Sequence, residues 1–123
     1  MAYVDGFIVP VPVAAVDAYL ALAAHAAEVW LENGALSVVE AEADDAPIGE
    51  VTSFPRSVLA TADETVFFSY ITYRDRAHRD EVNARVMADP DMMARMNTAP
   101  FDAKRMIWGG FAVRIARGSA AQE

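Results

Sequence analysis

Two histidines, eighteen carboxylates and ten cations are the charged and proton-moving groups of this 123-residue chain, and it contains no cysteine. That removes disulfides, thiolate nucleophiles and Cys-ligated zinc or iron–sulfur clusters together. His78 shares a helical face with Val82 and Val86, so it points away from solvent. Such a histidine is either a hydrogen-bonded core residue or a general base, the latter with Asp5 or Glu50 fixing its tautomer. Asp5 lies between Tyr3 and Phe7 on one strand face. A carboxylate is costly there unless it is exposed or paired, and Arg105 and Arg114 of the same sheet are its expected partners. Arg56, Arg79 and Arg105 together suit a carboxylate or phosphate ligand, although each can equally pair with an acid of the first half. Tyr70 and Trp108 can line a ligand pocket or serve as core and interface aromatics. Met87, Met92, Met93, Met96 and Met106 offer an adaptable apolar lining or filler for an irregular connector.

Other chemistries lack their residues. No Ser or Thr sits in a GxSxG-like setting, and no Gly-rich phosphate loop exists, since Gly34 and Gly49 stand alone and Gly109-Gly110 falls inside a strand. His78 with Glu81 or Glu50 is the only candidate metal-ligand grouping in the sequence, so neither metal nor cofactor is expected. The net charge is -8. Residues 1–55 carry nine acids and no Lys or Arg, while the remainder holds all ten cations and nine acids. A nucleic-acid backbone is a poor partner for that balance. Seven cations between Arg74 and Arg105 leave a locally positive surface, ordinary solvated charge or a place for a small anion.

The elements that must position these groups follow from composition and period. Apolar residues make up 54% and charged residues 23%, as in a globular chain, and 123 residues form one domain, 1–123. No run of about 20 uncharged apolar residues suggests a membrane span, and the opening Met-Ala-Tyr-Val-Asp lacks the basic start of a signal peptide, so a soluble, cytoplasmic protein is expected. Residues 2–10 read as a strand ended by Pro10 and Pro12. A helix is expected from Ala14 to Asn33, stopped by Gly34, with an apolar stripe of Val16, Tyr19, Leu20, Ala23, Ala26, Ala27 and Trp30; His25 falls opposite it, toward solvent. Residues 35–44 begin a second strand whose Glu40, Glu42 and Asp44 face water. Asp45 to Ala62 reads as a long irregular excursion, partly extended at Val51 to Phe54. Thr65 to Tyr73 is the strongest strand and belongs at the centre. Asp75 caps a helix reaching about Asp89, Asp91 to Asn97 adds a short helical turn, and Arg105 to Ala116 is a last strand with a bulge or close approach at Gly109-Gly110. Gly118 to Glu123 is expected to be a frayed tail.

The order β-α-β-β-α-β specifies an α+β fold: a ferredoxin-like plait, an antiparallel four-stranded sheet with two helices on one face. Phe67, Ile71 and Tyr73 alternate with Val66, Phe68 and Tyr70, so the central strand is apolar on both faces. A second copy is the expected cover, giving a homodimeric α+β barrel with Phe67 and Ile71 as candidate interface residues.

Three segments then resemble one family: AYVDGFIVPVP at the start, GEVTSFPR with YRDRAHRDEVNARVMADP in the middle, and PFDAKRMIWGGF near the end. They are similar to the YbaA-like bacterial proteins of unknown function. The resemblance implies a dimeric α+β barrel fold over Ala2 to about Ile115 and brings no reaction with it. Two functions therefore stand side by side. One is a small-molecule enzyme, resembling cofactor-less oxygenases or isomerases, with a pocket between sheet and helices. The other is a non-catalytic homodimeric module for metabolite binding or stress handling. For either, the excursion is expected to carry Glu50 and Arg56 toward His78 and Arg79, or else to clasp a partner subunit.

Overall fold

The computed structural model describes residues 2–119; residues 120–123 of the expected tail lie outside them. The first strand, β1, spans Tyr3–Pro12 and runs through both prolines instead of stopping at them. The reason is directional. The Ala2 carbonyl accepts from Val113 on one side of β1, and the Val13 N–H donates to Asp63 on the other. Even-numbered backbone groups thus face the last strand, whose pairing ends at Ile8. Pro10 and Pro12 lack donors only where no strand would receive them.

A single 3₁₀ turn, Val13–Ala15, leads into α1, Val16–Glu32. The segment 13–32 is long and apolar enough by composition to cross a membrane, yet Tyr19, Ala23 and Val29 of α1 are buried in this fold. The helix ends at Gly34, where φ is 110°. Ala35 N–H reaches the Trp30 carbonyl at 3.0 Å and Gly34 N–H the Leu31 carbonyl at 3.1 Å, the paired bonds of a Schellman stop. Then follow β2 (Ser37–Glu42), α2 (Phe54–Ser57), β3 (Glu64–Tyr73), α3 (Arg76–Met87), α4 (Pro90–Asn97) and β4 (Ile107–Ala112). The one-turn α2, capped by the Ser53 hydroxyl, begins at Phe54, the last residue of the piece expected to be extended, and Ser53 before it is extended. As expected, Asp75 caps α3, its carboxylate accepting from the His78 N–H at 2.7 Å.

The result is an α+β arrangement of four antiparallel strands in the order β2-β3-β1-β4. Odd-numbered residues of β1 and β3 face the helices. Tyr3, Ile71 and Tyr73 pack with Val29 of α1, Val82 and Val86 of α3 and Met92 of α4. Val9, Val11 and Phe67 pack with Tyr19 and Ala23. Phe67 and Ile71 therefore belong to the helix-side core and not to the other face. That outer face presents Phe68, Ile107 and Phe111, all exposed. One end of it is covered by the 45–62 segment, through Val58, which is buried, and Phe54, whose ring lies 5.9 Å from that of Phe68.

Arg105 anchors the entry to β4. It donates to both Glu64 carboxylate oxygens, at 2.7 and 2.6 Å, and to the Leu59 carbonyl at 3.0 Å. These bonds hold the Glu64 carboxyl down at about 2. The folded pKa lies below the unfolded one, so this stabilisation is complete above the ordinary carboxylate range and fades from about pH 5 downward. Glu64→Gln should therefore lose roughly 1–3 kcal/mol at pH 7. In urea titrations, the gap to the parent chain should close as the pH approaches about 2.

Candidate functional site

Between α1 and the sheet lies a cleft of about 290 Å³. Its origin is visible in the helix: Ala23, Ala26 and Ala27 face Phe7 and Ile71 across the gap, and alanines leave open what larger side chains would fill. Trp30 and Trp108, the chain's two tryptophans, form walls, and Met87, Met96 and Met106 line the margin with Phe101. The cleft is mostly apolar and carries polar groups at two places.

At one place Tyr19 of α1 donates its hydroxyl to Glu40 Oε1 at 2.8 Å, with the Ser69 hydroxyl alongside. Cross-strand pairing sets Glu40 opposite Ser69. Although Glu40 sits exposed on the edge strand β2, its carboxylate turns into the cleft. Burial raises that carboxyl above the usual carboxylate range, against the opposing pull of the Tyr19 and Ser69 hydrogen bonds. The Tyr19 phenol is pushed up too, first by burial and then by the Glu40 charge.

The other place is a network around Asp5, which is 2% exposed. Arg79 Nε donates to its two oxygens at 3.0 and 3.1 Å, and the Tyr73 hydroxyl donates to Oδ2 at 3.0 Å. Burial, followed by the Asp5 charge, keeps the Tyr73 phenol protonated well above its ordinary range. Trp30 Nε1 donates to Asn83 Oδ1 at 3.2 Å, which fixes the orientation of that amide. Its Nδ2 group has no hydrogen-bond partner among the described residues, and Asn83 lines the cleft. Gly110 makes the network possible: a Cβ there would collide with the Arg79 guanidinium and the Tyr3 ring, coming within 2.7 Å of Tyr3 Cε2. The pairing of β1 with β4 stays regular at Gly109 and Gly110, so the close approach is present without a bulge.

The residues singled out from the sequence are distributed unevenly. Asp5 and Trp108 line the cleft; Tyr70 does not, because its even position on β3 places it on the outer face. Asp5 pairs with Arg79 of α3, not with Arg105 or Arg114 of the sheet. His78 is buried as its spacing implied, but it lies outside the cleft: Nδ1 accepts from the Arg74 N–H at 3.0 Å and the ring sits edge-on to Tyr73. Glu50 and Arg56 do not reach it. Arg56 closes its own loop by donating to the Ile48 and Gly49 carbonyls at 2.8 and 3.1 Å, and Glu50 is exposed in the same loop. That loop packs beside Phe68 on the outer face, while His78 lies past Tyr73 on the helix face, about 16 Å further along β3. Arg56, Arg79 and Arg105 are each engaged separately and form no common anion site. His25 was expected in solvent but packs against α4, with Nε2 3.3 Å from Asp91 Oδ2.

Sequence reasoning missed Tyr19, Glu40, Ser69 and Asn83 as site groups. The available signal was the run of alanines inside the apolar stripe of α1, which marks a helix face with room beside it. The acids of β2 were expected to face water, yet pairing of Glu40 with Ser69 puts Glu40 on the helix side.

A family model described as "Protein of unknown function (DUF1428)" matches residues 2–103. Proteins described as "Uncharacterized protein YbaA", from Escherichia coli (strain K12) and from Shigella flexneri, are each 49% identical to the chain over 111 residues, covering 90% of it and 95% of the relative.

Proposed function

This chain belongs to the DUF1428 family of proteins of unknown function, and we propose that it is a homodimeric protein that binds a small, largely apolar molecule in the cleft between sheet and helices. The observation that carries this reading is an apolar cleft of about 290 Å³ that the alanine face of α1 leaves unfilled, with polar groups at two places. Concave, mainly apolar sites with a few placed polar groups are the usual form of small-molecule sites. As an enzyme it uses Glu40 to take a proton from the ligand, the first step of isomerase-like or cofactor-less oxygenase chemistry, without cofactor or metal. The non-catalytic reading, a metabolite-binding or stress-related module, draws support from His78 and Asp5, both of which are committed to bonds within the fold.

The strand order, with α1 joining β1 to β2 across the intervening β3 and α3 lying in the connection from β3 to β4 across β1, supports a ferredoxin-like plait. Exposed Phe68, Ile107 and Phe111 support a second copy of the sheet as cover, completing a dimeric α+β barrel. The net charge of -8 argues against nucleic acid, and we assign the protein to the cytoplasm, away from membranes.

Ala26→Leu fills the cleft from its helix side and is the direct test. In a thermal-shift screen of uncharged aromatic compounds, a bound compound should raise the melting temperature of the parent chain by mass action. It should also perturb the fluorescence of Trp30 and Trp108, both of which line the cleft. The variant should keep its far-ultraviolet circular dichroism and lose both responses. Equal responses in the two proteins would rule the cleft out as the binding site.

A further inference from the structure

The cleft contains two acids, and the fold treats them differently. Asp5 holds Arg79, just as the largely buried Glu64 elsewhere holds Arg105. Glu40 holds no cation. Its side-chain partners are the hydroxyls of Tyr19 and Ser69, both neutral, and among the described residues no Lys, Arg or His forms an ion pair with it. None of the residues that line the cleft is a cation either. A partly desolvated carboxylate without a counter-charge carries a cost that hydroxyl donors offset only in part, and burial accordingly raises the Glu40 carboxyl in spite of them. A positive group arriving with a ligand would remove that cost.

The surroundings suit such a group. Tyr19, which donates to Glu40 Oε1, has Phe101 edge-on with ring centroids 5.7 Å apart, and Phe7, Trp30 and Trp108 continue the aromatic lining. Aromatic faces attract cations through the ring quadrupole and cover apolar bodies equally well. Glu40 also belongs to the stretch, residues 1–55, that carries nine acids and no Lys or Arg, a distribution that draws cations and repels anions. Volume sets the size. About 290 Å³ stands at the lower limit of the roughly 300–1,000 Å³ of ligand pockets, which suits a body of one aromatic ring or a comparable alkyl chain.

Resting on the reading of the cleft as a ligand site, we propose that its ligand is a small primary or secondary amine bound as the ammonium, with N–H groups donating to Glu40 and an apolar body between the aromatic walls and the alanine face of α1. A carboxylate paired in this way recognises and does not react. This ligand class therefore belongs with the non-catalytic reading of the cleft.

Three compounds with the same ring and different charge test this by isothermal titration calorimetry at pH 7: phenethylamine, phenethyl alcohol and phenylacetate. The amine should bind at least tenfold more tightly than the alcohol, because a hydrogen bond between charged groups is worth about that much, and the carboxylate should be weakest. In Glu40→Gln the advantage of the amine over the alcohol should shrink to under about threefold, while the affinity of the alcohol stays within about twofold of the parent, which reports an intact cleft. Glu28→Gln removes the same charge from an exposed position of α1 outside the cleft and should leave the advantage unchanged. Equal binding of amine and alcohol to the parent chain, both lost in Ala26→Leu, would overturn the ammonium and leave the cleft reading standing. An advantage that survives Glu40→Gln, or that falls equally in Glu28→Gln, would follow the net charge of the chain and overturn the proposal, as would preferred binding of the carboxylate. No binding by any of the three at millimolar concentration, or binding that survives Ala26→Leu, would overturn the proposal together with the site.

Discussion

Replacing Arg79 with alanine should lower the folding stability by about 3–5 kcal/mol, measured by urea denaturation at pH 7. The partner it leaves behind is Asp5, 2% exposed in the middle of a sheet. Of its contacts, only the Tyr73 hydroxyl would remain as a side-chain donor among the described residues. An uncompensated buried charge is among the costliest single defects a core can carry, whereas removing both charges restores a consistent apolar site. Asp5→Leu with Arg79→Leu should therefore recover most of the loss, and the double-mutant cycle should show strong coupling. Arg79→Lys should fall between. Its compact ammonium can face Asp5, but it lacks the planar guanidinium that now stacks 5.1 Å over the Tyr3 ring while bridging Asp5 and Asp80. A loss under about 1 kcal/mol in Arg79→Ala would mean that water reaches Asp5 more freely than its burial implies.

Phe111→Asp should convert the proposed dimer into a monomer. Phe111 is 61% exposed on the outer sheet face, so the single chain has room for the aspartate, whereas a paired sheet would have to bury it without a partner. Light scattering at micromolar concentration should give about twice the 13.3 kDa chain mass for the parent and that mass itself for the variant, with far-ultraviolet circular dichroism unchanged. Phe67→Asp is the contrasting control. Phe67 is 1% exposed against Tyr19 and Val11, so aspartate there should unfold the chain at any concentration. A parent chain that is monomeric with its native spectrum would remove the dimer and leave the outer face as an open surface.

The comparison of Phe67 with Phe111 shows where reading the sequence stops. Two-residue alternation makes it clear that Thr65 to Tyr73 is apolar on both faces, since successive side chains point to opposite sides of any strand. It does not say which face meets the helices. A shift of pairing by one residue exchanges the two sets, and the pairing of Phe67 with Val9 and Glu42 is a long-range choice. The same uncertainty concealed Glu40, which in an isolated strand has no reason to point at Tyr19 rather than at water.

Local signals proved sufficient where their cause is local. Asp75 caps α3 because its carboxylate reaches a backbone N–H three residues on, and Gly34 ends α1 because it adopts a positive φ without a steric penalty. His78, Val82 and Val86 are buried together because 3.6 residues make a turn wherever the helix lies. The order of strands and main helices, and the burial of Tyr19 and Ala23 on the stripe of α1, follow from the same short-range periods, whereas Leu20 of that stripe is exposed.

Choices of partner were different. Asp5 needed a cation, and its own strand neighbours were the obvious source, yet Arg79 arrives from α3, 74 residues away, through the space left by Gly110. Arg56 had a buried histidine as its expected neighbour and instead bonds carbonyls seven and eight residues behind it, because one turn of α2 folds the loop back on itself. The cleft belongs wholly to this second kind. That α1 presents alanines to the sheet follows from the period of its backbone. That Phe7, Ile71 and the two tryptophans stand across from them far enough away to leave a cavity is settled when the elements pack, because a void is a property of the distance between elements and no element carries it alone.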